Sequence, residues 1–350
     1  MKRGLFSLSL VLCLSLTSGG FAQDQQFNWI VQSVFPLNLP LTENSLVLWA
    51  EKVEAMSNGR LTIQVHGAGE VVPAAGVFES VRDGVLDAGL NTPAWQKGEF
   101  PAGDLFYTLP GGVTEFHELL LWMYGGGGKE LQQEMYGDLP IVVFPLGLTP
   151  PESGIWTNRP IESLDDFRGL TVRGAGLGME LLQELGASAM TLSAGDTIPA
   201  LQRGVVDAAE FADPGMDYGV GLHEVAQYLV GPPIHMGPNM FQLAINRDRW
   251  EELPDDLKAI VEAAALAATM EGYVGAWMES IEAFGRIEEY GTVIQKLSPE
   301  EQTRAHELAL GILERESARD AFFGRVWQSQ KDFLESYSPY YNFSRFNLER

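Results

Sequence analysis

Apolar residues cluster from Phe27 to Val34 and predict a strand. Leu46, Trp49, Ala50 and Val53 recur at helical spacing and predict a helix over Thr42 to Ser57, ended by Asn58-Gly59. Leu61 to His66 reads as a second strand, Ala74 to Asp83 as a helix, and Leu86 to Asn91 as a third strand. Strands separated by helices of this length imply parallel βαβ units and an α/β fold. Met240 to Asn246 reads as a later strand. Pro254 to Tyr290 is Ala-rich and helical, approaching ~50 Å at 1.5 Å per residue. Gly272, Gly275 and Gly285 are expected to kink it. Ser298 caps a further helix, with Glu301 at the capping-box position.

One phrase occurs twice. VFESVRDGVLDAGL (77–90) and IPALQRGVVDAAEF (198–211) share an apolar helix, a glycine, two hydrophobic residues, Asp-Ala and a strand. Gly84 and Gly204 are expected as helix C-caps, with Asp87 and Asp207 just before the strands. Two α/β domains on related plans follow. Prolines cluster at 145–151 and at 232–238, where a second domain would be entered and left. About 330 residues beyond the leader also exceed one usual core.

The start places the chain. Met1-Lys2-Arg3, an uncharged apolar run from Gly4 to Thr17, and small residues up to Ala22 read as a secretory signal peptide over 1–22. The run is too short for a membrane span. Cys13 is the one cysteine and follows Leu12, which argues against a lipoprotein cleavage site. The processed chain then has no thiol for a disulfide, a nucleophile or a metal. A bacterial periplasm follows. The net charge is −24, and two units more negative once Lys2 and Arg3 are gone. That argues against nucleic acid as a partner. It makes a positive charge in a cleft more informative.

Arg173 is such a charge. It lies between an apolar strand, Leu170-Thr171-Val172, and a turn, Gly174-Ala175-Gly176. The strand end of an open α/β sheet is where ligands bind. A guanidinium there can grip a carboxylate with two parallel hydrogen bonds. The residues alone leave open a pairing with one of the 47 acids instead. A dinucleotide fingerprint fails, because Met179 replaces the third glycine and Asp196 falls in a turn. His223 and His235 are too far apart for one helix face.

RGLTVRGAGLGMELLQELGA, IPALQRGVVDAAEF and INRDRWEELPDDLKAIVEAAA resemble the solute-binding proteins of tripartite ATP-independent periplasmic (TRAP) transporters, the DctP family, over nearly the whole processed chain. The branch taking 2-oxo acids is the most similar. The resemblance implies a two-lobed periplasmic binding protein, type II-like, with a long C-terminal helix spanning both lobes. Its expected units are 23–149 with 238–260 as lobe 1, 150–237 as lobe 2, and C-terminal helices over 261–350 packing across both. It implies that Arg173 binds the ligand carboxylate. Glu210-Phe211 matches a Glu-Trp pair that helps hold a cation. Phe211 in place of Trp keeps a backbone carbonyl ligand but loses an indole contact. Glu152 takes a place often held by Gln. Glu152, Glu210 and Phe211 are thus expected around Ca²⁺ or Na⁺, with two carboxylates weighting the choice toward Ca²⁺. Asp213 is a further oxygen donor nearby. Phe35, Trp95 and Phe106 are expected as the apolar wall, with Asn91 and Thr92 at the end of the repeated strand.

The expected function is a periplasmic receptor that delivers a small 2-oxo or 2-hydroxy acid to TRAP membrane permease subunits, without catalytic residues or an organic cofactor. A secreted hydrolase using Glu152 and Glu210 is the alternative. The aromatic tail, Phe333 to Phe346, either packs on the body or serves a homodimer contact.

Overall fold

The computed structural model describes residues 25–107, 113, 115–192 and 194–345. The leader expected over 1–22 and Phe346 of the tail lie outside the described residues. Eleven strands are present among them: β1 (Phe27–Ser33), β2 (Leu61–His66), β3 (Ala88–Asn91), β4 (Ile141–Pro151), β5 (Ile155–Thr157), β6 (Thr171–Arg173), β7 (Ser188–Met190), β8 (Ala208–Ala209), β9 (Tyr228–Gly231), β10 (Pro238–Asn246) and β11 (Val293–Lys296). They form two sheets, ordered β2-β1-β3-β10-β4 and β11-β9-β5-β8-β6-β7.

The two sheets share a plan. In the first, β2, β1 and β3 run parallel and β10 lies antiparallel to β3. In the second, β7, β6 and β8 run parallel and β5 lies antiparallel to β8. The parallel βαβ units expected from the strand–helix alternation are present in both sheets. A chain that enters the second sheet and returns brings one reversed strand to each. The repeated phrase supplies the matching joints. Gly84 (φ 74°) and Gly204 (φ 68°) end their helices in the left-handed region. Asp87 Oδ2 accepts from the Ile30 backbone N–H at 2.6 Å, and Asp207 Oδ2 from that of Thr171 at 2.9 Å.

The outgoing and returning chains lie side by side. Pro151 at the end of β4 is opposite Pro238 at the start of β10, with irregular register up to Gln242. Proline lacks an N–H for the ladder, so pairing thins where the chain passes between the sheets.

The helix Asp255–Tyr290 runs unbroken through 36 residues. It packs on β4, on the helix Leu48–Met56 and on the helix Pro214–Val220. Gly272, Gly275 and Gly285 all lie within this continuous helix. Gly272 serves close approach: a Cβ there would lie 1.9 Å from the Asn44 carbonyl oxygen. Asn44 belongs to a π-helical segment, Glu43–Val47, inside the expected Thr42–Ser57 helix. Residues 261–350 are not wholly helical, since β11 pairs with β9. Ser298 caps its helix by accepting from the Glu301 N–H at 3.2 Å. The Glu301 carboxylate accepts from the Leu164 N–H at 3.0 Å, tying this helix to the second sheet's unit. In the tail, Phe333, Tyr337 and Tyr341 stack in series, with Tyr337 and Tyr341 against His117, whereas Tyr340 and Phe343 are exposed.

Candidate functional site

A cavity of about 280 Å³ lies between the sheets. Phe35, Thr92, Trp95 and Tyr107 line it from the first sheet's side. Arg173, Glu210 and Phe211 line it from the second, and Thr149, Glu152, Asn239 and Phe241 from the crossover region. Its apolar wall is one chain of rings. Trp95 lies 6.2 Å from Phe35, Phe35 5.5 Å from Phe241, and Phe241 5.2 Å from Tyr107, between centroids.

Arg173 ends β6, where Asp207 anchors the strand start and Gly174 N–H donates to the Met190 carbonyl at 3.0 Å. Its Nη1 donates to the Glu210 carbonyl at 2.7 Å and meets Glu210 Oε2 at 3.0 Å. Nε and Nη2 reach the Leu192 carbonyl at 3.4 Å, at the weak end of hydrogen bonding. The guanidinium lies 5.4 Å over the Phe211 ring. The pairing left open by the residues is therefore present, with Glu210 as partner. The same side chain still lines the cavity.

Glu210 is buried, and its Oε1 has no hydrogen-bond partner. Burial pushes its carboxyl up to about 7, with Arg173 pulling down and Glu152 pushing up. Glu152 is equally buried. Its Oε1 accepts from Asn239 Nδ2 at 2.9 Å and its Oε2 lies 2.8 Å from His235 Nε2. Burial alone would lower the His235 pKa, but the hydrogen bond and charge of Glu152 outweigh it and raise it. One ligand-capable atom from each of Glu152, Glu210 and His235 lies within 4.8 Å of the others. Ser153 N–H donates to the Ala212 carbonyl at 2.8 Å. Buried Asp217 accepts from Ala212 N–H at 2.9 Å and Trp156 Nε1 at 2.6 Å. These bonds lock the Glu152 segment to the Glu210-Phe211 segment.

A guanidinium and two buried carboxylates thus face an apolar wall across one cavity. Residues 34–318 match the bacterial extracellular solute-binding proteins of family 7, DctP. The chain belongs to this family. The monocarboxylate 2-oxoacid-binding periplasmic protein of Nostoc sp. is 30% identical over 81% of this chain and 78% of its own. A TRAP periplasmic solute-binding protein from Pseudoalteromonas atlantica, solved with bound sodium and pyruvate, superposes with a TM-score of 0.85 at 28% identity, over 91% of this chain and 97% of its own. One from Colwellia psychrerythraea, solved with calcium and pyruvate, gives the same score and identity over 91% and 98%.

Within this DctP protein, Arg173, Glu152, Glu210, Phe211, Phe35 and Trp95 come together at one cavity or its wall. Asn91 does not join them. It is fully buried in β3, accepts from Gln242 Nε2 at 2.7 Å and donates to the Gly89 carbonyl at 3.4 Å. Thr92, the next residue, lines the cavity instead. Phe106 is likewise buried, stacked 5.5 Å from Trp122, and Tyr107 lines the cavity. Asp213 caps the helix Pro214–Val220 and accepts from Ser280 Oγ at 2.7 Å, apart from the Glu152–Glu210 cluster. His235, Asn239 and Phe241 were not anticipated. The proline cluster at 232–238, read as the partner of the 145–151 crossover, was the signal that would have placed His235 beside Glu152.

Proposed function

We propose that this chain is the extracytoplasmic receptor of a TRAP transporter and that its cleft takes a small organic acid with an oxygen next to the carboxylate, a 2-oxo or 2-hydroxy acid. The observation that carries this is Arg173: a nearly buried guanidinium lining a cavity, its Nη1 held by Glu210 and its Nε and Nη2 on weak bonds that an incoming carboxylate can replace. Arg173 clamps the carboxylate through its planar fork. Phe35 and Trp95 cover the apolar part of the ligand from the opposite side. Asn91 is left out of this set.

Glu152, Glu210 and the Phe211 carbonyl would hold a cation, whose charge would favour the ligand's second oxygen. The residues fit such an ion, because Glu210 Oε1 is buried without a partner and faces a second carboxylate in the same cluster. The pyruvate-bound relatives carry sodium or calcium.

In this reading lobe 1 comprises 23–149 and 238–260, lobe 2 comprises 150–237, and 261–350 packs across both, with β11 added to the second sheet. Ligand contacts made from both lobes favour the closed form. The protein binds and releases its acid unchanged in the periplasm and hands it to the permease. Membership of a solute-binding family supports this over the hydrolase alternative, as does the engagement of Glu152 by His235 and Asn239. Native mass spectrometry of the purified chain incubated with pyruvate tests the reading. A complex with intact pyruvate is expected. No complex, or pyruvate converted to product, overturns it.

A further inference from the structure

The cavity is larger than the smallest acid its charged end would hold. Its 280 Å³ is room for roughly nine waters at about 30 Å³ each. Pyruvate carries only a methyl group beyond its 2-oxo carbon. The surplus does not come from parted halves. Lys97 pairs with Glu180 on the helix Gly176–Glu184, and Asp104 packs against Gly176, so the units of the two sheets already touch. Nor does the surplus suit a second acid group. Arg173 is the one base among the lining residues described, and the hydroxyls of Thr92, Thr149 and Thr191 are bonded to backbone at 3.2 to 3.3 Å. A second carboxylate would lose its water there without a matching cation.

The row of rings gives the surplus a direction. Desolvation and then the charges of Glu152 and Glu210 push the Tyr107 hydroxyl well above its usual range, which puts this ring beside the charged end. Phe241 follows, then Phe35, and Trp95 comes last. Trp95 is 48% exposed although it forms part of the cavity wall. A large indole left in water at the end of an apolar row gains from being covered.

We propose that the preferred ligand is an aryl-substituted 2-oxo or 2-hydroxy acid whose ring lies along this row, and that Trp95 selects it. The inference rests on the receptor reading above and adds the group beyond the 2-oxo carbon. Arg173 and the cation take the acid end, as they would for pyruvate. The ring fills the volume that pyruvate leaves and covers the indole. Aromatic pairs gain from tilted and edge-on contacts beyond the area they bury, and a branched alkyl chain cannot make these. The wall already uses that geometry, with Phe35 edge-on to Phe241 at 86° and tilted to Trp95 at 56°. Pyruvate binds at the charged end alone and more weakly.

The test is calorimetry of the full processed chain with pyruvate, 4-methyl-2-oxopentanoate and phenylpyruvate, at one pH and one calcium concentration. Phenylpyruvate should bind about 10- to 100-fold more tightly than pyruvate, with the branched acid between them. The pair lactate and 3-phenyllactate repeats the comparison without enolisation and should give the same order. These measurements need no variant to fold. Trp95→Ala should cut the advantage of phenylpyruvate over pyruvate about 10-fold. Pyruvate or the branched acid binding at least as tightly as phenylpyruvate overturns the inference and leaves the receptor reading standing. An unaltered ratio in a folded Trp95→Ala protein overturns it likewise. If none of these acids binds, the receptor reading itself falls.

Discussion

Arg173 stands in the second sheet where Gln32 stands in the first. Each lies two residues beyond the strand position whose backbone is bonded by the repeated aspartate, Ile30 with Asp87 and Thr171 with Asp207. Each side chain crosses to the loop after the neighbouring parallel strand. Gln32 is fully bonded there, to the backbone of Val71 and Val72 at 2.8 to 3.0 Å. Arg173 reaches the Leu192 carbonyl only at 3.4 Å and turns its charge toward the cleft. A duplicated joint thus has a structural end in one sheet and a ligand-facing end in the other.

The joint gives a paired prediction. Asp87→Ala and Asp207→Ala each strip a backbone N–H of its carboxylate and should each destabilise the protein by about 1–3 kcal/mol. Only Asp207→Ala should also weaken pyruvate binding, because β6 carries Arg173. Denaturant unfolding and calorimetry on both variants check this. Equal ligand affinity in the two would contradict it.

Gly272→Ala should destabilise the fold despite the higher helix propensity of alanine. The new methyl would lie 1.9 Å from the Asn44 carbonyl oxygen, and backbone there has little room to yield. Overpacking of this kind costs about 1–3 kcal/mol, against about 1 kcal/mol gained in propensity. A lowered unfolding midpoint is expected. Gly285→Ala, with nothing within 4 Å of its Cβ, should leave the midpoint unchanged or raise it.

Asp104 sets a pH dependence. Its carboxylate is buried, 3.6 Å from Lys97 Nζ, and packed against Gly176. Burial pushes it from 3.8 up to about 7, Lys97 offsetting part and Glu180 adding to the rise. The folded chain therefore holds this proton more tightly than the unfolded chain. Its contribution to stability is full below pH 3.8 and is lost as pH rises through about 7. The slope from this one group is at most about 1.4 kcal/mol per pH unit. Asp104→Asn should flatten the fall in unfolding free energy between about pH 4 and pH 7 by up to that slope, measured by denaturant unfolding at a series of pH values.

The strand–helix order, the repeat and the position of Arg173 were legible because each is local: apolar spacing, a glycine after a helix, a strand end. The antiparallel placement of β5 and β10 and the addition of β11 were not, since strand pairing over such separations leaves no local mark. Asn91 and Phe106 each missed the cavity by one residue. Which of two adjacent side chains faces a cleft depends on the direction of the backbone at a loop, and Thr92 and Tyr107 take those places. Glu152, Glu210 and Phe211 came from family resemblance, which matches positions one by one. His235 and Asn239 act through residues on the other crossover, and only the pairing of Pro151 with Pro238 brings them there.

The central claim is that the Arg173 guanidinium grips the ligand's carboxylate with its fork. Isothermal calorimetry of pyruvate binding to Arg173→Lys, at matched pH and cation, tests it most directly. Lysine keeps the charge and loses the planar donors, and removing a buried charge-assisted contact of this type costs about 2–5 kcal/mol, so affinity should fall roughly 30-fold or more. Affinity equal to that of the unaltered protein would contradict the account.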